Sequence, residues 1–194
     1  MSLKQYFQFL IFNYSFLILQ SSCQQKELSI DDPAPELLSL QWLQSPKLKL
    51  SELKGKVVLM RWWTDECIFC INSANALNEW YDMYADSGLV IIGMYHPKPE
   101  PKNCDAEDVK EFVLDKEFRF PIAIDDHWLN LKKYWLDATP REFTSVSFLI
   151  DRKGIIRYIH PGGEYHKEFS EGHEKCVEDY VVLQRMVVEL IRSK

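Results

Sequence analysis

Apolar and polar positions alternate along this chain in a few patterned runs. Val57-Val58-Leu59-Met60 contains no polar residue and reads as a buried strand. After it, Ile71, Ala74, Leu77, Tyr81 and Tyr84 recur at helical spacing, and Asp86-Ser87-Gly88 ends that helix, with Gly88 suited to a C-terminal cap. Leu89 to Tyr95 is continuously apolar and β-branched, which predicts a central parallel strand covered on both faces. Upstream, Leu37 to Leu43 predicts a first strand. The alternation of Leu48, Leu50 and Leu53 predicts an extended edge ahead of the turn Lys54-Gly55-Lys56.

Downstream, the proline-rich loop His96 to Asn103 leads to a helix over Asp105 to Asp115. Asp105 is its N-cap, and Val109, Phe112 and Val113 form its apolar face. Phe120 to Ile124 reads as a short strand. Trp128, Leu129, Leu131, Tyr134 and Trp135 read as a short aromatic helix packed on the sheet. Ser145 to Ile150 and Ile155 to Ile159 form a hairpin about the turn Asp151-Arg152-Lys153-Gly154. After the sharp loop His160 to Gly163, a last helix of roughly 18 residues carries the stripe Val177, Tyr180, Val181, Val187, Val188 and Ile191. The order is α/β, β-α-β-(insert)-β-β-α: a mixed central sheet flanked by helices, with an N-terminal extension and a helix-strand insert after the central strand.

The chain divides into residues 1–23, 24–36 and 37–194. Lys4 followed by the apolar run Tyr6 to Leu19, broken by Gln8 and Asn13, is too short and interrupted for a secure transmembrane helix. With Ser21-Ser22-Cys23 behind it, residues 1–23 resemble a bacterial lipoprotein signal, in which Cys23 is lipidated and becomes the mature N-terminus; Gln20 stands where that pattern usually has leucine. A plain secretory signal or a signal anchor are the other readings, and all three export the domain to the cell envelope. Residues 24–36, with Pro33 and Pro35, read as a tether, and 37–194 as one domain. In 194 residues, a hydrophobic content of 46% gives a packed core, and a net charge of −6 disfavours nucleic acid as the main partner.

Between the buried strand and the helix stands Cys67-Ile68-Phe69-Cys70. There the first cysteine meets the unpaired N–H groups and positive end of the helix, which favour a thiolate, and the second lies one turn on, within disulfide reach. A zinc half-site with this motif needs a second ligand pair, and the chain has no second C-x-x-C and no H-x-x-x-H. The pattern therefore points to thiol–disulfide chemistry with no cofactor and no metal. In an exported protein the remaining thiols, Cys104 and Cys176, are either a structural pair or two free cysteines.

From Pro35 to the C-terminus the chain resembles the TlpA-like, redoxin-domain protein disulfide reductases of the bacterial envelope. The motifs that carry this are Leu53-Lys54-Gly55-Lys56-Val57-Val58, Trp63 with the C-x-x-C, Phe148-Leu149-Ile150-Asp151 with Gly154, and Ile156 to His160 with Gly163-Glu164-Tyr165. The resemblance implies a thioredoxin-like fold. It implies Cys67 and Cys70 as the catalytic pair, with Trp63, Thr64, Thr144 and Ser145 lining the site. The implied partners are a disulfide-bearing protein or small thiol, an upstream membrane thiol donor, and the membrane itself through the N-terminal segment. Where such proteins carry a cis-proline facing the cysteines, this chain has Ser145, for which a trans peptide is expected, since cis costs about 3 kcal/mol before a non-proline residue. Arg61 stands where thioredoxin has a buried acid, and reads as an ion-paired or surface residue. Ser73 stands where some relatives have glutamate.

Three competing functions follow from the same residues. Thr64-Asp65-Glu66-Cys67 matches the T-x-x-C end of a peroxidase site, with Arg141 as a conceivable partner and Met60 in place of its proline. A copper(I) carrier would use the thiolates with one of His96, His127, His160, His166 or His173. An interaction domain that has lost activity is the third.

Overall fold

The computed structural model describes residues 26–193; the export and lipidation readings of residues 1–23, Cys23 included, lie outside them. The strands are β1 (Gln41–Leu43), β2 (Val57–Trp63), β3 (Leu89–Tyr95), β4 (Ile122–Ile124), β5 (Ser147–Ile150) and β6 (Ile156–His160). The helices are α1 (Ile68–Tyr84), α2 (Ala106–Asp115), α3 (Leu129–Leu131, continued by a π turn over Lys132–Leu136) and α4 (Glu174–Arg192). The sheet runs β1-β4-β3-β2-β5-β6. β2, β3 and β4 are parallel neighbours, and β1, β5 and β6 join antiparallel. This is the mixed α/β sheet expected, with α2 and β4 as the insert after β3.

Each face of the sheet buries one apolar layer. Val57, Leu59 and Trp63 of β2 meet Ala74, Leu77 and Trp80 of α1 and Leu183 and Val187 of α4. Val58, Met60 and Trp62 turn the other way, onto Leu131, Tyr134 and Trp135 of α3. Gly93 of β3 is required by this packing. A Cβ there would lie 2.7 Å from Ile122 Cδ1 and 2.9 Å from Phe120 Cε2. α2 opens as expected, with the Asp105 carboxylate accepting from Glu107 N–H at 2.9 Å. α3 is started instead by Asp125, whose carboxylate accepts from Leu131 N–H at 2.7 Å and Asn130 N–H at 3.1 Å.

Three local expectations are corrected. The predicted extended edge Leu48–Leu53 is a 3₁₀ turn over Leu50–Leu53. Its amides have a better acceptor than a neighbouring strand: the Glu36 carboxylate takes Leu50 N–H at 2.7 Å and Ser51 N–H at 2.9 Å. In α4, Val181 is exposed and Leu183 is buried, because Tyr180, Leu183 and Val187 share the inner face. Residues 26–36 of the segment read as a tether are fastened to the domain. Asp31 N–H donates to Ile156 O (2.8 Å), Ile156 N–H to Asp32 O (2.9 Å) and Ala34 N–H to Gly154 O (2.9 Å). Among the described residues no helix is long and apolar enough to cross a membrane.

Candidate active site

β2 is buried along its whole length and delivers Trp63 and Thr64 to the edge of the sheet, where the chain turns into α1. Cys67 is the N-cap of α1, and its sulfur accepts from Cys70 N–H at 3.2 Å. Cys67 and Cys70 form a disulfide with Cα atoms 5.3 Å apart. The two sulfurs differ in access: Cys70 is 2% exposed, whereas Cys67 is half-buried at the surface. A helix N-terminus beside the outer sulfur stabilises negative charge there.

Ser145 lies on both sulfurs, its Oγ 3.0 Å from Cys70 Sγ and 3.5 Å from Cys67 Sγ. Neither disulfide sulfur carries a hydrogen, so the hydroxyl is the donor. The peptide bond before Ser145 is trans; the cis bond among the described residues is Lys98–Pro99. Thr144, the preceding residue, turns inward, and its Oγ1 is 2.7 Å from His96 Nε2. Burial holds the His96 pKa down at about 3, with Lys98 adding to the effect, so this ring is neutral. Trp63 packs among Tyr95, Phe112 and Phe118 and belongs to the same apolar layer as Cys70. Thr64 is buried and donates to Asp65 Oδ1 at 3.0 Å. The Asp65 carboxylate is thus held toward Thr64 and, at 3.5 Å, the Tyr95 hydroxyl.

The expectation for Arg61 is corrected. It is 1% exposed, and among the described residues no carboxylate pairs with it. It shares a strand face with Leu59 and Trp63, so the register of β2 points it into the core. There Nη2 donates to Gly163 O at 2.6 Å, Nη1 to Ser147 Oγ at 3.4 Å, and the guanidinium faces the Tyr165 ring at 5.3 Å. Burial lowers its pKa, with Tyr165 opposing, from a starting value so high that the charge remains. Ser73 is also inward, its hydroxyl donating to Phe69 O (2.8 Å) and accepting from Tyr165 N–H (3.2 Å).

Of the residues of the competing readings, Thr64 precedes the cysteines and His96 lies against Thr144, beside Ser145, while the others make their contacts elsewhere. Arg141 stacks on Trp135 at 3.5 Å and binds Glu27 and Trp135 O. His160 pairs with Asp179 at 3.1 Å, and His127 is exposed beside Asp126. His166 and His173 lie against each other and Glu164. Cys104 and Cys176 are both free, which removes the structural pair. No periodic pattern signals the grouping of His166 and His173 with Glu164, because it depends on an irregular loop.

A family model, described as the AhpC/TSA family, matches residues 30–159. Protein DipZ of Mycobacterium tuberculosis is 32% identical over 168 residues, 82% of this chain but 21% of DipZ, so the chain spans about a fifth of that relative. The thiol-disulfide oxidoreductase ResA of Bacillus anthracis is 32% identical over 166 residues, covering 84% of this chain and 87% of ResA. Among solved structures, a thiol-disulfide isomerase from Corynebacterium glutamicum aligns with a TM-score of 0.59 and 26% identity, over 83% of this chain and 98% of that one.

Proposed function

This chain belongs to the AhpC/TSA family, among its thiol–disulfide oxidoreductases, and on that footing we propose that it reduces protein disulfides in the bacterial envelope through a Cys67/Cys70 dithiol. The observation that carries this reading is the asymmetric disulfide at the N-terminus of α1. The Cys67 thiolate attacks one sulfur of a substrate disulfide. A Cys67–substrate disulfide forms, and the other substrate sulfur leaves as a thiolate and takes up a proton. The Cys70 thiolate then attacks Cys67 Sγ, the mixed disulfide breaks, and the second substrate sulfur leaves. Two electrons pass to the substrate and the Cys67–Cys70 disulfide is regenerated. Burial of Cys70 suits it to this internal step, since an exposed second thiol would itself be open to substrate.

Ser145 is placed to donate to whichever sulfur carries charge, and Thr144, held by His96, fixes the backbone that presents it. Ile68 and Phe69 are 59% and 53% exposed beside the cysteines, and Phe143 is exposed just ahead of Thr144. Such an apolar rim favours a polypeptide substrate over a small polar thiol. The absence of a positive charge between the cysteines favours the reducing direction. Export through residues 1–23 with lipidation at Cys23, and re-reduction by a membrane thiol donor, complete the proposal.

The test is trapping. The reduced Cys70→Ser chain, mixed with insulin as a disulfide-bearing probe, should accumulate a mixed disulfide at Cys67, and Cys67→Ser should form none. A chain that reduces insulin equally well without Cys67 would refute the assignment. Consumption of hydrogen peroxide at a rate exceeding insulin reduction would favour the peroxidase reading instead.

A further inference from the structure

Either side of Tyr165 in sequence, four potential metal ligands converge: Glu164, His166, His173 and Cys176, with one donor atom of each within 4.8 Å of all the others. Glu164 and His166 come from the loop after β6, and His173 and Cys176 from the first turn of α4. The spacings explain the convergence. Residues i and i+2 of an extended loop share a side, and residues i and i+3 at a helix start do too. His166 Nε2 is 3.1 Å from His173 Nδ1, which is 3.1 Å from Glu164 Oε1. Glu164 Oε1 is 3.9 Å from His166 Nε2 and 3.8 Å from Cys176 Sγ. Zinc bonds of about 2.0–2.3 Å in a tetrahedron put donor atoms roughly 3.3–3.8 Å apart. These four separations bracket that range, and the remaining two lie within 4.8 Å.

Two contacts of the cluster compete for one atom. His173 Nδ1 has one in-plane position, holding either a hydrogen or a lone pair, yet it has two partners at 3.1 Å. A hydrogen aimed at Glu164 leaves His166 Nε2 without its own bond, and a lone pair aimed at His166 faces a carboxylate oxygen. A central cation meets all four donors at once. The surroundings fit as well. Asn72 Nδ2 donates to Glu164 Oε2 at 2.5 Å, which fixes the carboxylate. His166 Nδ1 is buried without a hydrogen-bond partner among the described residues, 3.9 Å from Glu168 Oε2, which suits it to carry the ring hydrogen and leave Nε2 free to ligate.

We propose that Glu164, His166, His173 and Cys176 form a four-ligand Zn(II) site, distinct from the Cys67/Cys70 disulfide, that closes the loop between β6 and α4. Four protein ligands leave no open position, which makes the site structural and not catalytic. Binding displaces the Cys176 thiol proton, because the thiolate is the ligand. The loop it closes also holds β2 and the redox helix: Gly163 O accepts from Arg61 of β2, Tyr165 N–H donates to Ser73 of α1, and Glu164 holds Asn72 two residues past Cys70.

The experiment uses the full chain with Cys67 and Cys70 oxidised, so that those sulfurs are not available as ligands. Zn(II) is titrated in competition with a chromophoric chelator. One equivalent should bind, and His173→Ala and Cys176→Ser should each weaken binding by more than about 10-fold. Co(II) in place of zinc should show a thiolate charge-transfer band that Cys176→Ser removes. A measurement on the unmutated chain stands beside these: Zn(II) should protect Cys176, and not Cys104, from alkylation. No stoichiometric binding, undiminished binding in both variants, or equal alkylation of Cys176 with and without zinc would overturn the proposal.

Discussion

Removing the Ser145 hydroxyl isolates one contribution to the reactivity of Cys67. The hydroxyl is 3.5 Å from Cys67 Sγ and 3.0 Å from Cys70 Sγ. A hydrogen bond to a charged acceptor contributes about 1.5–3 kcal/mol, and each pKa unit corresponds to about 1.36 kcal/mol. The longer distance to Cys67 and the sharing between two sulfurs put the effect at the low end, about one unit. Ser145→Ala should therefore raise the Cys67 pKa by about one unit, while the Cys70 N–H bond and the helix terminus remain. Below the thiol pKa, about tenfold less thiolate is present, and its greater basicity returns about threefold in nucleophilicity, so attack slows by roughly threefold. The assay is the alkylation rate of Cys67 in the reduced chain as a function of pH, followed by peptide mass spectrometry. An unchanged or lowered midpoint in Ser145→Ala would refute the role given to this hydroxyl.

His96 makes folding sensitive to acid. The unfolded ring takes up a proton below about 6.5, whereas the folded one stays neutral down to about 3. Stability from this group is complete above pH 6.5 and is lost as pH falls toward 3, by about 2 kcal/mol at pH 5. Urea unfolding at pH 7 and pH 5 should show that loss in the wild type, and His96→Gln should lose about 2 kcal/mol less. Gly93→Ala places a methyl against Ile122 and Phe120, and overpacking of this kind costs about 1–3 kcal/mol, read from the urea midpoint. Glu36→Ala strips two backbone amides of the 3₁₀ turn of their acceptor. It should cost about 1–2 kcal/mol in the same assay, whereas a residue of a free tether would cost nothing.

The parts of the fold that could be read directly were those whose packing is repeated along the chain. LVIIGMY is apolar at every position because β3 is covered on both faces, and Asp105 announces α2 because its carboxylate caps it. The redox motif was legible for the same reason: its chemistry is local, set by a strand end, a helix start and two residues between. Local pattern is silent where a distant group decides local structure. Leu50 and Ser51 are drawn into a turn by Glu36, and the role of Arg61 depends on Gly163, 102 positions away, whose carbonyl accepts from it. Ser145 was expected at the site from the resemblance alone, and its contact with both sulfurs comes from the pairing of β5 with β2. The His166–His173 contact needs the shape of an irregular loop, which no periodicity encodes.

The reduction potential of the Cys67/Cys70 pair, measured in the full chain by equilibration with a dithiol buffer, bears most directly on the proposed reductase. The account predicts a reversible two-electron couple near or below that of thioredoxin, roughly −270 mV. The Ser145 bond, at about 1.4 kcal/mol, moves this upward by only about 30 mV, far less than the roughly 150 mV that separates thioredoxin from a strong oxidant. A potential near −120 mV, the range of an oxidant, would reverse the proposed direction, and the absence of any reversible Cys67–Cys70 disulfide would contradict the assignment altogether.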